Sequence, residues 1–340
     1  MKTGVLLMNT GTADEPTVPA IRNYLYEFLM DPAIIGAPTF IRKRIVNHIL
    51  TKRPQQTLPR YEEFWTPEGS PFTIACVKQA QRLQIELAGR LPEDVRVAVG
   101  QRYGSPSVLD GLHELRVWGA ERVVVLPAYP QQVRVCTGTC LARAREVLGK
   151  LTERYGWRPQ VLEAGSFYLN ESWRRALARQ VARHWSWQPG SKLAVSFHST
   201  LVKDIQAGDP YQRQCEQTAA NLAADLGIPA EDLVLCYQSR FDNRKWLQPL
   251  APATVAELAR QGVRDLAVVC PGFVAENMET ALEVGRDLRR SFLEAAGPGA
   301  SFTYVPCLNA DAGLVKALAD TVVQALEAQP APQPGQKSEE

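Results

Sequence analysis

The sequence has no excess of charge of either sign. Its 38 lysines and arginines are matched by 36 aspartates and glutamates, a net charge of +2 over 340 residues. Proteins that bind nucleic acid through their overall charge need a strongly basic surface, so nucleic-acid binding is not predicted. Although 45% of the residues are apolar, no uninterrupted apolar run of about 18 residues occurs. A globular protein without a membrane-spanning helix is therefore predicted.

Cysteine is present, but not in a pattern typical of disulfides or zinc sites. The seven cysteines are an odd number and include one Cys-x3-Cys pair, Cys136 and Cys140, with no second half to complete a site. Free thiols in a reducing compartment are predicted. The segment 1–9 carries one lysine and too short an apolar run for a signal peptide, so we expect a cytoplasmic protein.

Short β-branched runs alternate with helical patterns along the chain, which is typical of parallel sheets covered by helices on both faces. The strands are predicted at 4–9, 95–100, 122–126, 160–163, 192–197, 233–238, 266–269 and 302–305. The turn after the first strand, Asn9 to Ala13, lacks Gly-x-Gly-x-x-Gly, and no Walker sequence occurs. The predicted fold class is α/β, with dinucleotide and P-loop chemistry disfavoured.

A weak internal repeat divides the chain into two similar halves. The stretch 114–129 resembles 257–273, since each has Glu-Leu, a glycine, a strand, and a proline followed two residues later by an aromatic residue. Upstream, 7–10 corresponds to 195–198. We predict two Rossmann-type lobes with an active-site cleft between them. The predicted boundaries are 1–165, with an inserted lip at about 23–72, then 166–328 with a terminal helix, and a disordered tail over 329–340.

Among the four histidines, His198 has the position best suited to catalysis. It follows the apolar run 193–197 at the carboxyl end of a strand, where two-lobed α/β proteins bind ligands. An imidazole titrates near neutrality and can accept a proton there. His48, His113 and His184 lie in charged helical segments, which favours solvated or packed side chains. Position alone leaves a catalytic role and a packed core role for His198 equally open.

The segment after Phe273 is predicted to form an amphipathic helix with an acidic face. At 100° per residue its four carboxylates fall within about 80° of one another; they are Glu276, Glu279, Glu283 and Asp287. The simpler interpretation is a solvated face near a helix N-terminus. The alternative is a track for a divalent cation or for protons. The position of Glu279 relative to His198 distinguishes the two.

The insertion is basic and amphipathic. No acid occurs between Asp31 and Glu62, whereas six basic residues are interleaved with apolar ones; they are Arg42, Lys43, Arg44, Lys52, Arg53 and Arg60. An ordinary surface helix has such a pattern. It also suits anionic lipid headgroups, or a flat apolar ligand edged with carboxylates. On the lipid interpretation, residues 24–50 make peripheral contact with the inner membrane.

Several collinear segments carry a family resemblance over roughly residues 2–325. They are LMNTGT at 7–12, YLYEFLMDP at 24–32, Tyr61 with GSP at 69–71, RYG at 102–104, LPAYPQ at 126–131, SFHS at 196–199, GDPY at 208–211, QSR at 238–240 with WL at 246–247, and PGF at 271–273 through ET at 279–280. Together they resemble the ferrochelatase family, which inserts Fe²⁺ into a porphyrin at the last step of haem synthesis.

The resemblance implies roles for individual residues. His198 would be the active-site histidine and proton acceptor, and Glu279 its partner carboxylate, with both contacting the metal. The acidic track would continue through Glu276, Glu283 and Asp287. The implied porphyrin contacts are Thr10, Arg53, Ser70, Arg102, Tyr103, Tyr129, Trp246 and Phe273. The implied substrates are a porphyrin and ferrous iron, with no permanently bound cofactor. Two pyrrole protons must leave as the metal enters, which suits an imidazole beside a carboxylate.

The chain departs from the family pattern at positions that bear on metal preference and rate. Thr10 stands where Leu, Met or Tyr usually approaches the metal, and Leu201 where a proline usually follows the histidine. Gln132-Val133 replaces a common Tyr-Ser pair, and Glu276-Asn277-Met278 replaces Asp, then Cys, Ser or His, then Leu or Ile. Arg134 replaces a cluster cysteine of some members, and no cysteine follows Cys307. No iron–sulfur cluster is therefore predicted.

The sequence is compatible with three functions. The first is insertion of Fe²⁺ into protoporphyrin IX, favoured over coproporphyrin III by Asn-Thr-Gly-Thr at 9–12 and by the apolar lip. The second is a non-catalytic protein that binds porphyrin or haem. The third is a chelatase for another tetrapyrrole, such as a cobalt or sirohydrochlorin enzyme. Small enzymes of this third kind usually have additional histidines, and here only His198 is well placed.

Overall fold

Two parallel four-stranded sheets form the core of the computed structural model, which describes residues 1–240 and 242–328. The first sheet has the order β2-β1-β3-β4, and its strands are β1 (Thr3–Asn9), β2 (Val95–Gln101), β3 (Arg122–Pro127) and β4 (Gln160–Glu163). The second has the order β6-β5-β7-β8, with β5 (Lys192–His198), β6 (Leu233–Gln238), β7 (Asp265–Val269) and β8 (Ser301–Val305). Every predicted strand forms within one residue at either end, and the two-lobed α/β fold is confirmed.

The strand pairing corrects the register of the internal repeat. Asn9 pairs with Gln101 in the first sheet, and His198 pairs with Gln238 in the second. Asn9 and His198 are therefore equivalent, one residue away from the correspondence that the sequence comparison predicts. Both end a central strand at its carboxyl edge, which places them at the same level of their two lobes.

Helices cover both faces of each sheet, so the central strand β1 is buried along its whole length. The covering helices are α4 (Pro71–Ala88), α5 (Val108–Trp118), α6 (Thr139–Tyr155), α7 (Glu171–His184), α8 (Val202–Gln206), α9 (Tyr211–Leu226), α10 (Ala251–Arg260), α11 (Arg289–Ala296) and α12 (Ala312–Glu327). The terminal helix α12 packs against both α4 and α7. The largest apolar cluster joins both lobes. The boundary near residue 165 thus stays a prediction.

The inserted segment consists of three short helices between β1 and α4. They are α1 (Val18–Leu29), α2 (Thr39–Ile49) and α3 (Arg53–Phe64). Tyr61 is buried with Ile21 against the partly buried Met278, and Phe64 belongs to one apolar cluster with Leu282. The insertion therefore packs on the second lobe as well as on the first.

Two segments wind more widely than an α-helix. A π-helical turn spans Arg134–Gly138 before α6, and a π-helix spans Glu279–Leu288 before α11. The second coincides with the predicted acidic α-helix, so the α-helical period predicted there is wrong. Wide turns of this kind are frequent at functional sites.

Two further predictions concern the chain ends and the bilayer. The tail predicted to be disordered, 329–340, lies outside the described residues. Across residues 1–240 and 242–328, no helix combines the length and the apolar character needed to cross a membrane.

Candidate active site

A cavity of about 470 Å³ lies at the carboxyl ends of both sheets, under the inserted helices. Residues that follow strands of both lobes line it, as the fold class predicts. Helices α1 and α3 supply a further wall that includes Tyr24, Arg53 and Tyr61. The volume is in the range of roughly 300 to 1,000 Å³ that is typical of small-molecule sites.

His198 and Glu279 meet inside this cavity. The His198 Nε2 atom lies 3.8 Å from Glu279 Oε1. The hydroxyl of Tyr211 donates to the His198 carbonyl at 3.0 Å and so holds the end of β5. His198 Nδ1 lies 2.6 Å from the Ser199 carbonyl oxygen. Because a carbonyl can only accept, Nδ1 carries a proton, and in the neutral ring Nε2 is the atom that accepts one.

The start of the π-helix positions Glu279. The Asn277 side-chain oxygen accepts hydrogen bonds from the backbone N–H groups of Glu279 at 2.8 Å and Thr280 at 3.1 Å. Burial raises the pKa of Glu279, the neighbouring His198 lowers it, the Glu283 carboxylate raises it further, and Arg60 lowers it. Glu279 therefore holds its proton more tightly than an exposed glutamate does, beside a group that can exchange protons with it.

Two of the four acids predicted to form a track line the cavity. Glu279 and Glu283 line the cavity, but among the described residues the cavity wall does not include Glu276 or Asp287. Glu276 precedes the helix and accepts hydrogen bonds from the Tyr304 hydroxyl at 2.9 Å and the Cys307 N–H at 2.7 Å. Glu276 lies before the π-helix, so the prediction that all four acids share one helical face is wrong for Glu276; a role of these acids as a track stays a prediction.

Asp287 is neutralised by arginines. Its carboxylate accepts from Arg286 Nε at 2.8 Å and pairs with Arg60 at 3.3 Å and Arg290 at 3.6 Å. The hydrogen bond from Arg286 is the main cause that lowers the pKa of Asp287. The three guanidinium groups beside Asp287 repel a divalent cation. Asp287 is therefore a poor binding position for such an ion.

Six of the eight predicted porphyrin contacts line the cavity: Thr10, Arg53, Arg102, Tyr103, Tyr129 and Phe273. The wall, so far as the structure describes it, omits the other two. Ser70 is buried at the N-cap of α4, where its hydroxyl accepts from the Thr73 N–H. Trp246 is buried, and its indole N–H donates to Asp242 at 3.0 Å. Contact of Ser70 and Trp246 with the ring stays a prediction.

The arginines of the cavity differ in their partners. Arg102 pairs with the buried Asp31, which also accepts from the Tyr103 hydroxyl at 2.9 Å, so its charge is already compensated. Arg53 and Arg240 line the cavity too, and neither has a carboxylate partner among residues 1–240 and 242–328. Arg240 belongs to the family segment at 238–240 and follows β6, but the resemblance implies no role for it. Its place after a strand was the signal that could have found it.

Two departures from the family pattern have structural partners. The Thr10 hydroxyl lies 2.6 Å from the Tyr129 hydroxyl, so Thr10 bonds to the wall of the site. The Arg134 guanidinium donates to Asp204 at 2.8 Å, and its backbone N–H donates to Asp209 at 2.8 Å. An ion pair thus forms where some members have a cluster cysteine. The lack of an iron–sulfur cluster stays a prediction.

Comparison with known proteins identifies the family of this chain. The family model described as Ferrochelatase matches residues 2–326. A protein of Thioalkalivibrio sulfidiphilus named Ferrochelatase is 38% identical over 98% of this chain and 89% of its own length. The Ferrochelatase of Herminiimonas arsenicoxydans is 40% identical over 94% and 85%. SirB from Bacillus subtilis with Fe3+ has a TM-score of 0.55 over 96% of both chains at 12% identity, which shows a shared fold. The chain therefore belongs to the ferrochelatase family, the metal-chelating lyases of haem biosynthesis.

Proposed function

We propose that this protein inserts Fe²⁺ into protoporphyrin IX, with His198 as the proton acceptor and Glu279 as its partner carboxylate. One observation carries the assignment: Nε2 of His198 and Oε1 of Glu279 lie 3.8 Å apart inside a cavity shared by the two lobes. A base and an anion side by side match a reaction in which protons leave as a cation enters.

The protons released by the reaction can be taken up at His198 and Glu279. Fe²⁺ replaces two pyrrole N–H protons, so the ring loses two protons and gains one metal ion. Nε2 of His198 takes the first proton, because the Ser199 carbonyl holds the Nδ1 proton in place. Glu279 stabilises the imidazolium that forms. The proton then passes to Glu279 and Glu283 and leaves, which frees His198 for the second proton.

The free charges of the cavity favour a porphyrin with two acid groups. Arg53 and Arg240 are the cavity-lining guanidinium groups that lack a carboxylate partner within the described part of the chain, whereas Arg60 and Arg102 are paired. A guanidinium binds a carboxylate through parallel hydrogen bonds. Two unpaired arginines match the two propionates of protoporphyrin IX better than the four of coproporphyrin III.

The deciding experiment compares metal insertion into protoporphyrin IX and coproporphyrin III under identical conditions. We expect kcat/KM to favour protoporphyrin IX by at least about tenfold, equivalent to about 1.4 kcal/mol. A preference for coproporphyrin III would reassign the substrate. Porphyrin binding without any metalloporphyrin product would contradict the enzymatic assignment and leave a binding protein.

Removing the unpaired guanidinium groups should weaken ring binding. We expect Arg53→Met and Arg240→Met each to raise the Kd for protoporphyrin IX about tenfold, the loss typical of one charge-assisted pair. Fluorescence titration measures this affinity. Arg22→Met, an exposed arginine of α1 outside the cavity, is the control. With the porphyrin dimethyl ester, which lacks both carboxylates, the variants should match the wild type; an equal loss with the ester would contradict the assignment.

We further propose that α2 rests on an anionic lipid surface. Phe40, Ile41 and Ile45 are 71%, 39% and 40% exposed, and Lys43 and Arg44 are exposed beside them. Apolar side chains next to cations are typical of helices that lie in a membrane interface. The pattern is smaller than the sequence predicts, because the buried Arg42 donates to the Ile35 carbonyl at 3.2 Å.

Vesicle sedimentation tests this surface. The protein is expected to bind vesicles that contain phosphatidylglycerol more strongly than vesicles of phosphatidylcholine alone. Phe40→Ser combined with Ile45→Ser should reduce binding by about tenfold or more, from the lost apolar burial. Ile85→Ser, at a residue 74% exposed on α4, is the matched control. Equal binding of wild type and double variant would contradict the proposal.

A further inference from the structure

The π-helix sets the direction of both cavity carboxylates. Glu279 and Glu283 enter the cavity from this one segment, Glu279–Leu288. Its i→i+5 hydrogen bonds widen each turn. Two side chains four residues apart, such as Glu279 and Glu283, therefore point in different relative directions than they would on an α-helix. Because π-helical bonding rarely persists beyond one turn, a segment of 10 residues depends on contacts with the rest of the molecule.

The first half of the π-helix is held by its own lobe. Asn277 caps its first N–H groups, and the Thr280 hydroxyl donates to Glu276 at 2.8 Å. The Ser239 hydroxyl donates to the Glu283 carboxylate. These bonds fix where the helix begins, and the buried Val284 and Leu288 anchor the apolar side of its last turn in the same lobe.

The charged side of the last turn is held by the insertion. Arg60 Nη1 lies 3.3 Å from Asp287 Oδ2, and Arg286 donates to the Glu63 carboxylate. Arg60 and Glu63 are separated by one turn of α3, whereas Arg286 and Asp287 are adjacent in sequence. Arg286 also donates to Asp287 at 2.8 Å, so the four charges form one alternating network across the seam between α3 and the π-helix.

We propose that Arg60 and Glu63 are positioning residues that clamp the last turn of the π-helix and thereby fix the register in which Glu279 and Glu283 face the cavity. The inference rests on the proposed function for its kinetic readout. Partly exposed ion pairs are individually weak, but members of one network are coupled, so the loss of one partner affects the others. Helix α3 also carries Arg53 and Tyr61 in the cavity wall. The same helix therefore supports part of the proposed porphyrin site and, through the clamp, the carboxylates Glu279 and Glu283.

Kinetics of the clamp variants test the proposal. Glu63→Gln is the cleaner change, since Glu63 is not among the cavity-lining residues; Arg60→Met is the second. With Zn²⁺ as an air-stable probe metal, we expect each variant to lower kcat about fivefold and to raise the KM for Zn²⁺. The Kd for protoporphyrin should stay within about twofold for Glu63→Gln. Arg60→Lys should restore most of the rate, and Arg22→Met serves as the control.

Hydrogen–deuterium exchange gives a readout independent of activity. Amides of segment 279–288 should exchange faster in Glu63→Gln than in the wild type, while β5 and β7 exchange unchanged. Unchanged exchange would overturn the clamp, as would unchanged kinetics or a rate loss explained wholly by weaker porphyrin binding. If the wild type inserted no metal, the proposed function would fail, and the exchange measurement would still decide the clamp.

Discussion

His198→Ala is expected to abolish metal insertion, with kcat lowered by about a thousandfold, the range for loss of a general base. Nε2 of His198 is a proton acceptor in the cavity and lies 3.8 Å from Glu279 Oε1. Alanine leaves the departing pyrrole protons without that acceptor. Protoporphyrin affinity should change by less than about threefold, because the ring is held by other wall residues. Stopped-flow absorbance measures insertion, and fluorescence quenching measures binding.

The matched control is His113→Ala, at an exposed histidine of α5 outside the cavity, which should keep the wild-type rate. Added imidazole should restore part of the activity of His198→Ala, since it can enter the space left by the side chain. Near wild-type turnover by His198→Ala would refute the role of this residue as base. Loss of porphyrin affinity parallel to the loss of rate would assign it to ring binding instead.

The strands and the position of the histidine could be predicted because local pattern determines them. A buried parallel strand appears as a β-branched run, and the end of that run places His198 at the carboxyl edge of the sheet. The repeat of two halves then places ligand residues of both lobes around one cavity. Thr10 and Phe273, which the resemblance implies as porphyrin contacts, also follow strands and line the cavity.

The π-helix could not be predicted, because its register depends on distant contacts. Arg60 and Glu63 contact Asp287 and Arg286 across more than 220 residues of sequence, and no local pattern of 279–288 distinguishes the wide helix from an α-helix. The ion pair of Arg102 could not be predicted for the same reason, since its partner Asp31 lies 71 residues away. The sequence motifs show which residue types are present. Which of these residues pair with one another is determined by the fold.

Glu279→Gln is expected to slow insertion about a hundredfold while leaving protoporphyrin binding within about threefold. Glutamine keeps the size of the side chain but removes the charge that, in the proposed mechanism, attracts the metal and stabilises the imidazolium of His198. Glu294→Gln, at an exposed glutamate of α11, is the control and should behave as the wild type. A normal rate for Glu279→Gln would show that the acidic face of this helix is only a solvated surface.

The same substitution should stabilise the protein near neutral pH. Burial raises the folded-state pKa of Glu279 above its ordinary value of 4.5, so the folded state binds this proton more tightly than the unfolded chain does. Ionisation of Glu279 therefore costs stability, from near pH 4.5 upward, and the full cost is present above the folded-state pKa. Glutamine removes the cost, so its Tm should exceed that of the wild type by on the order of 2 °C near neutrality and match it at about pH 4. Equal Tm values at both pH values would contradict this account. A site that loses turnover and gains stability from one neutral replacement is one whose charge is kept for its chemistry.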